Sequence, residues 1–254
     1  MRKSAGMPND EQGMRRWPSS DEEHSERRDL MATNPMFAVP QGQREDPLLH
    51  ISSSSILDYR RGQIIYNEDQ PATNIYLVME GKVKVLRMAH DGRPVVVDIY
   101  HNDEFFGESA ILNLPARNEQ AIAMENTRLM AWTTAEIEEM VAKRPRLAIA
   151  LLQMFVQRSI EFGCRIESFA VDNIVRRLAH ALIRFSERLG QNTEDGSVQM
   201  MPFTHELLSQ YVGTSREIVT HYMNQLRRLG YLRYSRKGIY LHRDALKDWF
   251  RQVA

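Results

Sequence analysis

The sequence predicts an α+β chain: an N-terminal jelly-roll-like β-roll, a long dimerisation helix, and a C-terminal winged helix-turn-helix. Three observations predict it. Short β-branched or aromatic runs recur between Gln63 and Trp132, with turn residues between them. Apolar residues then step at heptad spacing through a proline-opened stretch ending near Val171. Last come two amphipathic patterns joined at Gly213 and followed by a hairpin. The length of 254 residues suits two modest domains plus extras. Hydrophobic residues make up 43% of the chain, enough for packed cores, which excludes wholesale disorder.

Residues 1–46 read as a disordered tail. They mix Arg, Glu, Ser, Asp and Pro without helical or alternating period, too polar to offset chain entropy by burial. Met31 opens Met-Ala-Thr-Asn-Pro, a second candidate start. Charge is uneven behind a formal net of zero: 7 basic and 9 acidic groups in residues 1–46, 13 and 17 in 47–172, 13 and 7 in 173–254. A basic C-terminal third on an acidic body fits a nucleic-acid-binding module attached to something else, though helical surfaces are also basic for solubility. No apolar run reaches the roughly 18 residues of a membrane span, and the N-terminus alternates charges where a signal peptide is apolar. The single cysteine, Cys164, excludes an internal disulfide and an all-cysteine iron–sulfur cluster. A soluble, reduced, cytoplasmic protein without a membrane partner is expected.

Residues 47–142 carry the roll. Gln63–Tyr66, Ile75–Met79, Lys82–Leu86, Pro94–Tyr100 and Thr127–Trp132 read as strands, and Lys82-Val83-Lys84-Val85 alternates strictly. Gly62, Gly81, Asp91-Gly92 and Asn102-Asp103 punctuate them. Asp91-Gly92 signals a tight hairpin with positive φ at both positions, and Asn102 is expected to take such a conformation.

The segment Phe105-Phe-Gly-Glu-Ser-Ala-Ile-Leu-Asn-Leu-Pro-Ala-Arg-Asn118 carries the chemistry of this part. With Gly62 and Gly81 it resembles the cyclic-nucleotide-binding roll of the CRP/FNR regulators, where it forms a phosphate-binding cassette. A helix start and an arginine fork both favour a phosphate, and a carboxylate accepts from ribose hydroxyl. The resemblance implies that Gly107 lets the backbone approach, that Glu108 takes the ribose, and that Arg117 with Asn118 takes the phosphate, with Ser109 also in the effector-binding set. Cyclic-AMP binders usually have Arg-Ser or Arg-Thr where Arg117-Asn118 stands, and Glu119 adds a carboxylate repulsive to phosphate. A cyclic nucleotide, another small effector and no ligand at all stay open.

Residues 143–171 carry the helix, opened by Pro145. Ala148, Leu152, Phe155, Ser159, Phe162, Ile166 and Phe169 step by 4, 3, 4, 3, 4 and 3, a coiled-coil stripe of about three heptads. Packing on its own roll would give a similar stripe; the resemblance implies a parallel homodimer. Gly163 costs about 1 kcal/mol relative to Ala, so it serves close approach of a neighbour or ligand. The resemblance also puts Arg158, Phe162 and Gly163 near the effector's base, where cyclic-AMP binders have a Thr-Ser pair instead of Phe162-Gly163. Cys164 reads as a small apolar packer. His90, His101 and His180 have no paired His/Cys spacing, so haem is not expected, and no metal is.

Residues 172–254 carry the strongest pattern. Ile174–Phe185 is amphipathic, and Gly190–Gly196 reads as a polar loop. Thr204 caps a first helix, Gly213 makes the turn, and a second helix begins near Ser215. The hairpin Leu232–Leu241 turns at Lys237-Gly238. Thr214-Ser-Arg-Glu217 and His221 resemble the CRP recognition helix, whose start meets base edges in the major groove. Arg216 suits bidentate contact with guanine, and Glu217 accepts from a cytosine amino group. His221 stands where the family usually has Arg. Thr204, Ser215, Arg236 and Lys237 suit phosphate contacts, which position without specifying. The implied protein is a homodimeric transcription regulator on near-palindromic duplex DNA, with RNA polymerase as a partner and DNA affinity set by a small effector. A ligand-independent regulator and a nucleotide-sensing module that does not act on DNA are the alternatives. No nucleophile–base pair, metal spacing or Walker loop is present, so an enzyme is not expected.

Overall fold

A computed structural model describes residues 45–252. Of the tail read in residues 1–46, residues 1–44, Met31 included, lie outside the described residues, whereas Glu45 pairs with Arg146 at 2.7 Å and Asp46 caps a 3-10 turn. The chain is α+β, with an antiparallel β domain followed by helices and a C-terminal helix-turn-helix.

Eight strands build the roll: β1 (Ser55–Tyr59), β2 (Ile64–Tyr66), β3 (Asn74–Glu80), β4 (Val83–Met88), β5 (Pro94–Tyr100), β6 (Phe105–Phe106), β7 (Gln120–Ala123) and β8 (Thr127–Thr133). They form two antiparallel sheets, ordered β1-β8-β3-β6 and β2-β7-β4-β5. Between the sheets the buried positions alternate along the strands, as Val83 and Val85 do on β4. The Asp91-Gly92 hairpin differs from expectation: only Gly92 has positive φ, and Ala89 and Arg93 close a three-residue loop. That is a turn with a glycine bulge, which needs a single left-handed residue. At the next turn Asp103, not Asn102, takes positive φ, 67°.

Helix α1 (Thr134–Lys143) starts in a capping box between Thr133 and Glu136. Helix α2 (Arg146–Val171) buries Leu147, Ala150 and Leu151 against α1 and the first sheet, around Trp132 and Phe105. Beyond that turn no described residue covers its outer face. Among its exposed residues, Ile149, Leu152, Val156, Ser159, Gly163, Ile166 and Ala170 form one stripe. This stripe keeps the expected heptad step and keeps Leu152, Ser159 and Ile166; Ala148 is exposed beside it, and the three phenylalanines of the expected seam lie differently. Phe155 turns into the roll's core, Phe162 is half-buried, and Phe169, still 40% exposed, rests one edge against the turn at Gly213. Phe155 and Phe162 go where the chain itself supplies a surface. Cys164 is exposed and not a core packer. An 18-residue window of α2 is apolar enough, at mean hydropathy 1.2, to cross a membrane by length and composition, yet only 17% of it is buried.

Helix α3 (Ile174–Leu189) is capped by Asn173. The expected loop from Gly190 to Gly196 instead contains β9 (Gln191–Asn192), which pairs with β10 (Val198–Met200). Asp195 secures that hairpin by accepting from Thr193, Ser197 and Arg233, bonds that hold its carboxyl well below the usual range. Helix α4 (His205–Val212), helix α5 (Arg216–Arg228), β11 (Leu232–Ser235), β12 (Gly238–Leu241) and α6 (Arg243–Gln252) complete the module. Its sheet runs β11-β12-β10-β9. The wing turns at Arg236-Lys237, one residue earlier than expected, because Ser235 pairs with Gly238. Gly238 belongs to the strand: a Cβ there would lie 2.4 Å from the Met200 carbonyl oxygen. Val96 and Ile99 of β5 are fully buried in the core of this module, so one strand serves both domains.

Candidate functional site

The cassette begins where β6 ends. Gly107 takes a left-handed φ of 80°, and a Cβ there would lie 3.1 Å from both the Asn74 carbonyl oxygen and the Tyr76 ring. A 3-10 turn, Glu108–Leu112, follows. Arg117 returns beneath it, 3% exposed, donating to Ser109 Oγ at 3.1 Å and to the Asn74 carbonyl at 2.8 Å. Its guanidinium lies 4.0 Å from the centre of the Tyr66 ring.

Two carboxylates complete the cluster. Glu119 is buried two residues after Arg117 and accepts from the Tyr66 hydroxyl at 2.9 Å. Burial, followed by the negative Glu108, raises the Glu119 pKa. Glu108 meets Arg158 of α2 at 3.0 Å, and Arg158 also donates to the Phe105 carbonyl at 2.7 Å. Tyr66, Tyr76, Phe106 and Tyr100 stack through the interior beneath these charges, with neighbouring centroids 5.1–5.8 Å apart. The structure therefore brings together Gly107, Glu108, Ser109, Arg117 and Arg158. Asn118 does not join them: it is exposed between buried Arg117 and Glu119, as alternation along an extended chain requires. Phe162 lies one turn beyond Arg158 and is half-buried. Asn74 and Tyr66 were absent from the sequence expectation, and a backbone carbonyl as arginine acceptor leaves no signal in residue types.

The helix-turn-helix is built from its caps. Thr204 accepts from the Leu207 amide at 3.0 Å and Ser215 from the Ile218 amide at 3.4 Å. Gly213 turns the chain with φ 74°. Val219, Met223 and Leu226 bury one face of α5, while Ser215, Arg216, Glu217 and His221 stand exposed on the other. Thr214 is half-buried beside them. The backbone amide at the helix start and Ser215 hold the Glu217 carboxyl below its ordinary pKa, so it is an acceptor at neutral pH. On the wing, Arg236 and Lys237 are exposed. His205, missing from the expected set, ties α4 to α5 by a 2.8 Å contact with Thr220 Oγ1. Tyr234 ties the wing to α5 through Asn224 at 3.0 Å.

Between the two sites lies a buried charge cluster. Asp98 of β5, 1% exposed, accepts from Arg188 at 2.7 Å and Arg184 at 3.0 Å, both on α3. Burial raises its pKa, but the Arg188 and Arg184 guanidiniums outweigh burial and hold it below the usual carboxylate range. Arg188 also binds Glu104, and Arg184 binds Glu161 of α2, each at 2.8 Å.

Known proteins resemble both parts of the chain that carry these residues. The cyclic nucleotide-binding domain family matches residues 56–144, and the Crp-like helix-turn-helix family matches residues 176–249. A CRP-like cAMP-activated global transcriptional regulator of Mycobacterium tuberculosis is 26% identical over 184 residues, 72% of this chain and 82% of that protein. The transcriptional regulator SdrP of Thermus thermophilus is 30% identical over 164 residues, 64% of this chain and 76% of that one. The crystal structure of a CRP/FNR-family regulator from Thermus thermophilus superposes with a TM-score of 0.64 at 29% identity, covering 76% of this chain and 97% of the other.

Proposed function

The chain belongs to the CRP/FNR family of transcriptional regulators, which are not enzymes, and from that premise we propose that it acts as a homodimer reading a near-palindromic duplex site through α5. One observation carries this reading. Arg216 and Glu217 at the start of a helix and His221 about one turn further on are exposed while Val219, Met223 and Leu226 are buried, which leaves the three free to meet base edges. Arg216 would take a guanine, Glu217 a cytosine amino group, and His221 an outer base. Thr204, Thr214, Ser215, Arg236 and Lys237 would hold phosphates.

The uncovered stripe on α2 supports the homodimer. Leu152 is 58% exposed and Ile166 69% exposed, apolar surface that a second copy of the helix would remove from water. Gly163, with nothing within 4 Å of its added Cβ, would let the two backbones approach. Two-fold symmetry then sets the half-sites about 34–36 Å apart, one turn of duplex. RNA polymerase as partner and the cytoplasm as location follow from the regulatory reading.

For the roll, the matched cyclic nucleotide-binding domain supports a small effector held by Glu108, Ser109, Arg117 and Arg158. The mutual pairing of Glu108 with Arg158, and of Arg117 with its own chain, favours a second reading, a regulator that binds DNA without ligand. Calorimetry with a panel of cyclic mono- and dinucleotides, with and without DNA, separates the two. The DNA reading is tested by gel shift on genomic fragments across a salt series. It predicts sequence-selective binding that weakens linearly in log–log form as phosphate contacts are screened. Salt-insensitive or absent binding contradicts it.

A further inference from the structure

Strand β5 ends the sheet order β2-β7-β4-β5, so its outer edge carries backbone carbonyls with no neighbouring strand among the described residues. Arginines from two helices occupy that edge. Arg165 of α2 donates to the Val97 carbonyl at 2.6 Å, the Val96 carbonyl at 2.8 Å and the Tyr211 carbonyl at 2.7 Å. Tyr211 lies in the last turn of α4, where carbonyls are partly negative and favour a cation. Arg188 donates to the Ile99 carbonyl at 3.1 Å. The Asp98 side chain points to the same helices and takes both Arg184 and Arg188.

We propose that Asp98 is a positioning residue for DNA recognition: it fixes the angle of the C-terminal module on the roll, and through that angle selects the spacing between half-sites. This rests on the dimeric, DNA-reading function proposed above. Base identity is read by α5; spacing is set on a sheet edge in the other domain. Two arginines of α3, 184 and 188, pair with three carboxylates, Asp98, Glu104 and Glu161, while Arg165 holds backbone carbonyls beside them. Asp98 is the member that both α3 arginines share. A buried pair of this kind holds one geometry because removing a partner strands a charge away from water. Hydrophobic contact alone, through Val96 and Ile99, is less directional and would let the module rock.

The test uses the full-length dimer and a DNA series with two identical half-sites, the spacer varied one base pair at a time. Wild type should prefer one spacing over a two-base-pair offset by at least about tenfold, equivalent to ~1.4 kcal/mol. Asp98→Asn should flatten that profile to within about threefold, while base preference inside each half-site stays as in wild type. Glu104→Gln, which removes one carboxylate from Arg188 at a partly exposed position, should flatten it less. Should Asp98→Asn fail to fold, Glu104→Gln decides. Asp98→Glu should restore part of the selectivity. A merely structural role would lower the melting temperature and weaken all spacings alike. Variants that are weaker but keep the wild-type profile would overturn the proposal and leave the DNA reading standing. A wild type that binds single half-sites with no preference between spacings would overturn the dimeric reading and the proposal with it.

Discussion

Glu108 and Arg158 meet at 3.0 Å between the cassette and the long helix, in the region where the family resemblance expects an effector. Arg158 is held three ways, by Glu108, by the Phe105 carbonyl and over the Tyr100 ring at 4.8 Å. A ligand that uses Glu108 as hydrogen-bond acceptor competes with that arginine. Arg158→Ala leaves Glu108 without its cation and should destabilise the roll by about 1–3 kcal/mol. Urea denaturation at neutral pH measures it; an unchanged midpoint would show the pair to be incidental.

Glu119 gives a prediction of opposite sign. Its pKa is raised in the folded chain, chiefly by burial, so the folded state favours the protonated form. The stability this group contributes is present below its unfolded pKa, about 4.3, and is lost as pH rises through the folded value. Glu119→Gln keeps an acceptor for the Tyr66 hydroxyl without the charge. It should therefore be at least as stable as wild type at pH 7, with the advantage vanishing near pH 4. Denaturant midpoints at both pH values decide; a variant weaker at pH 7 would mean that Arg87, 4.0 Å away, and Arg117 need the carboxylate.

The exposed stripe on α2 predicts how association fails. Ile166→Lys puts a charge into the stripe at a 69% exposed position, where the isolated subunit should tolerate it. The dimer dissociation constant should rise by at least about tenfold, the effect of a ~1.4 kcal/mol loss. Gly163→Ala should raise helix propensity by about 1 kcal/mol yet weaken association, because the added methyl meets the facing helix. Sedimentation equilibrium reads both. Tighter association for both variants would place the interface elsewhere.

Much of this architecture was legible in the sequence, and the exceptions have physical causes. Pro145 and Val171 bracket α2 closely because proline sets its start. The β-branched runs gave β3, β4, β5 and β8. Strand β1 was missed because Ser55–Tyr59 has no buried residue to impose alternation. Strand β9 is two polar residues and β10 only three residues long, too short to show a period, and their hairpin is secured by Asp195. The seam on α2 was shifted at Phe155 and Phe169 because periodicity cannot say which surface a ring covers. Glu119 was visible beside Arg117, but its bond to Tyr66 spans 53 positions. The Asp98 cluster was invisible for the same reason: its arginines lie 86 and 90 positions away.

The division of labour between α5 and the wing is the centre of this account, and a base-resolved binding selection on two variants tests it most directly. Arg216→Ala should cost about 1–3 kcal/mol and relax preference at one base position in each half-site. Lys237→Ala should weaken binding evenly across sequences and reduce the salt slope by about 1. Relaxed base preference in Lys237→Ala, with uniform weakening in Arg216→Ala, would contradict it.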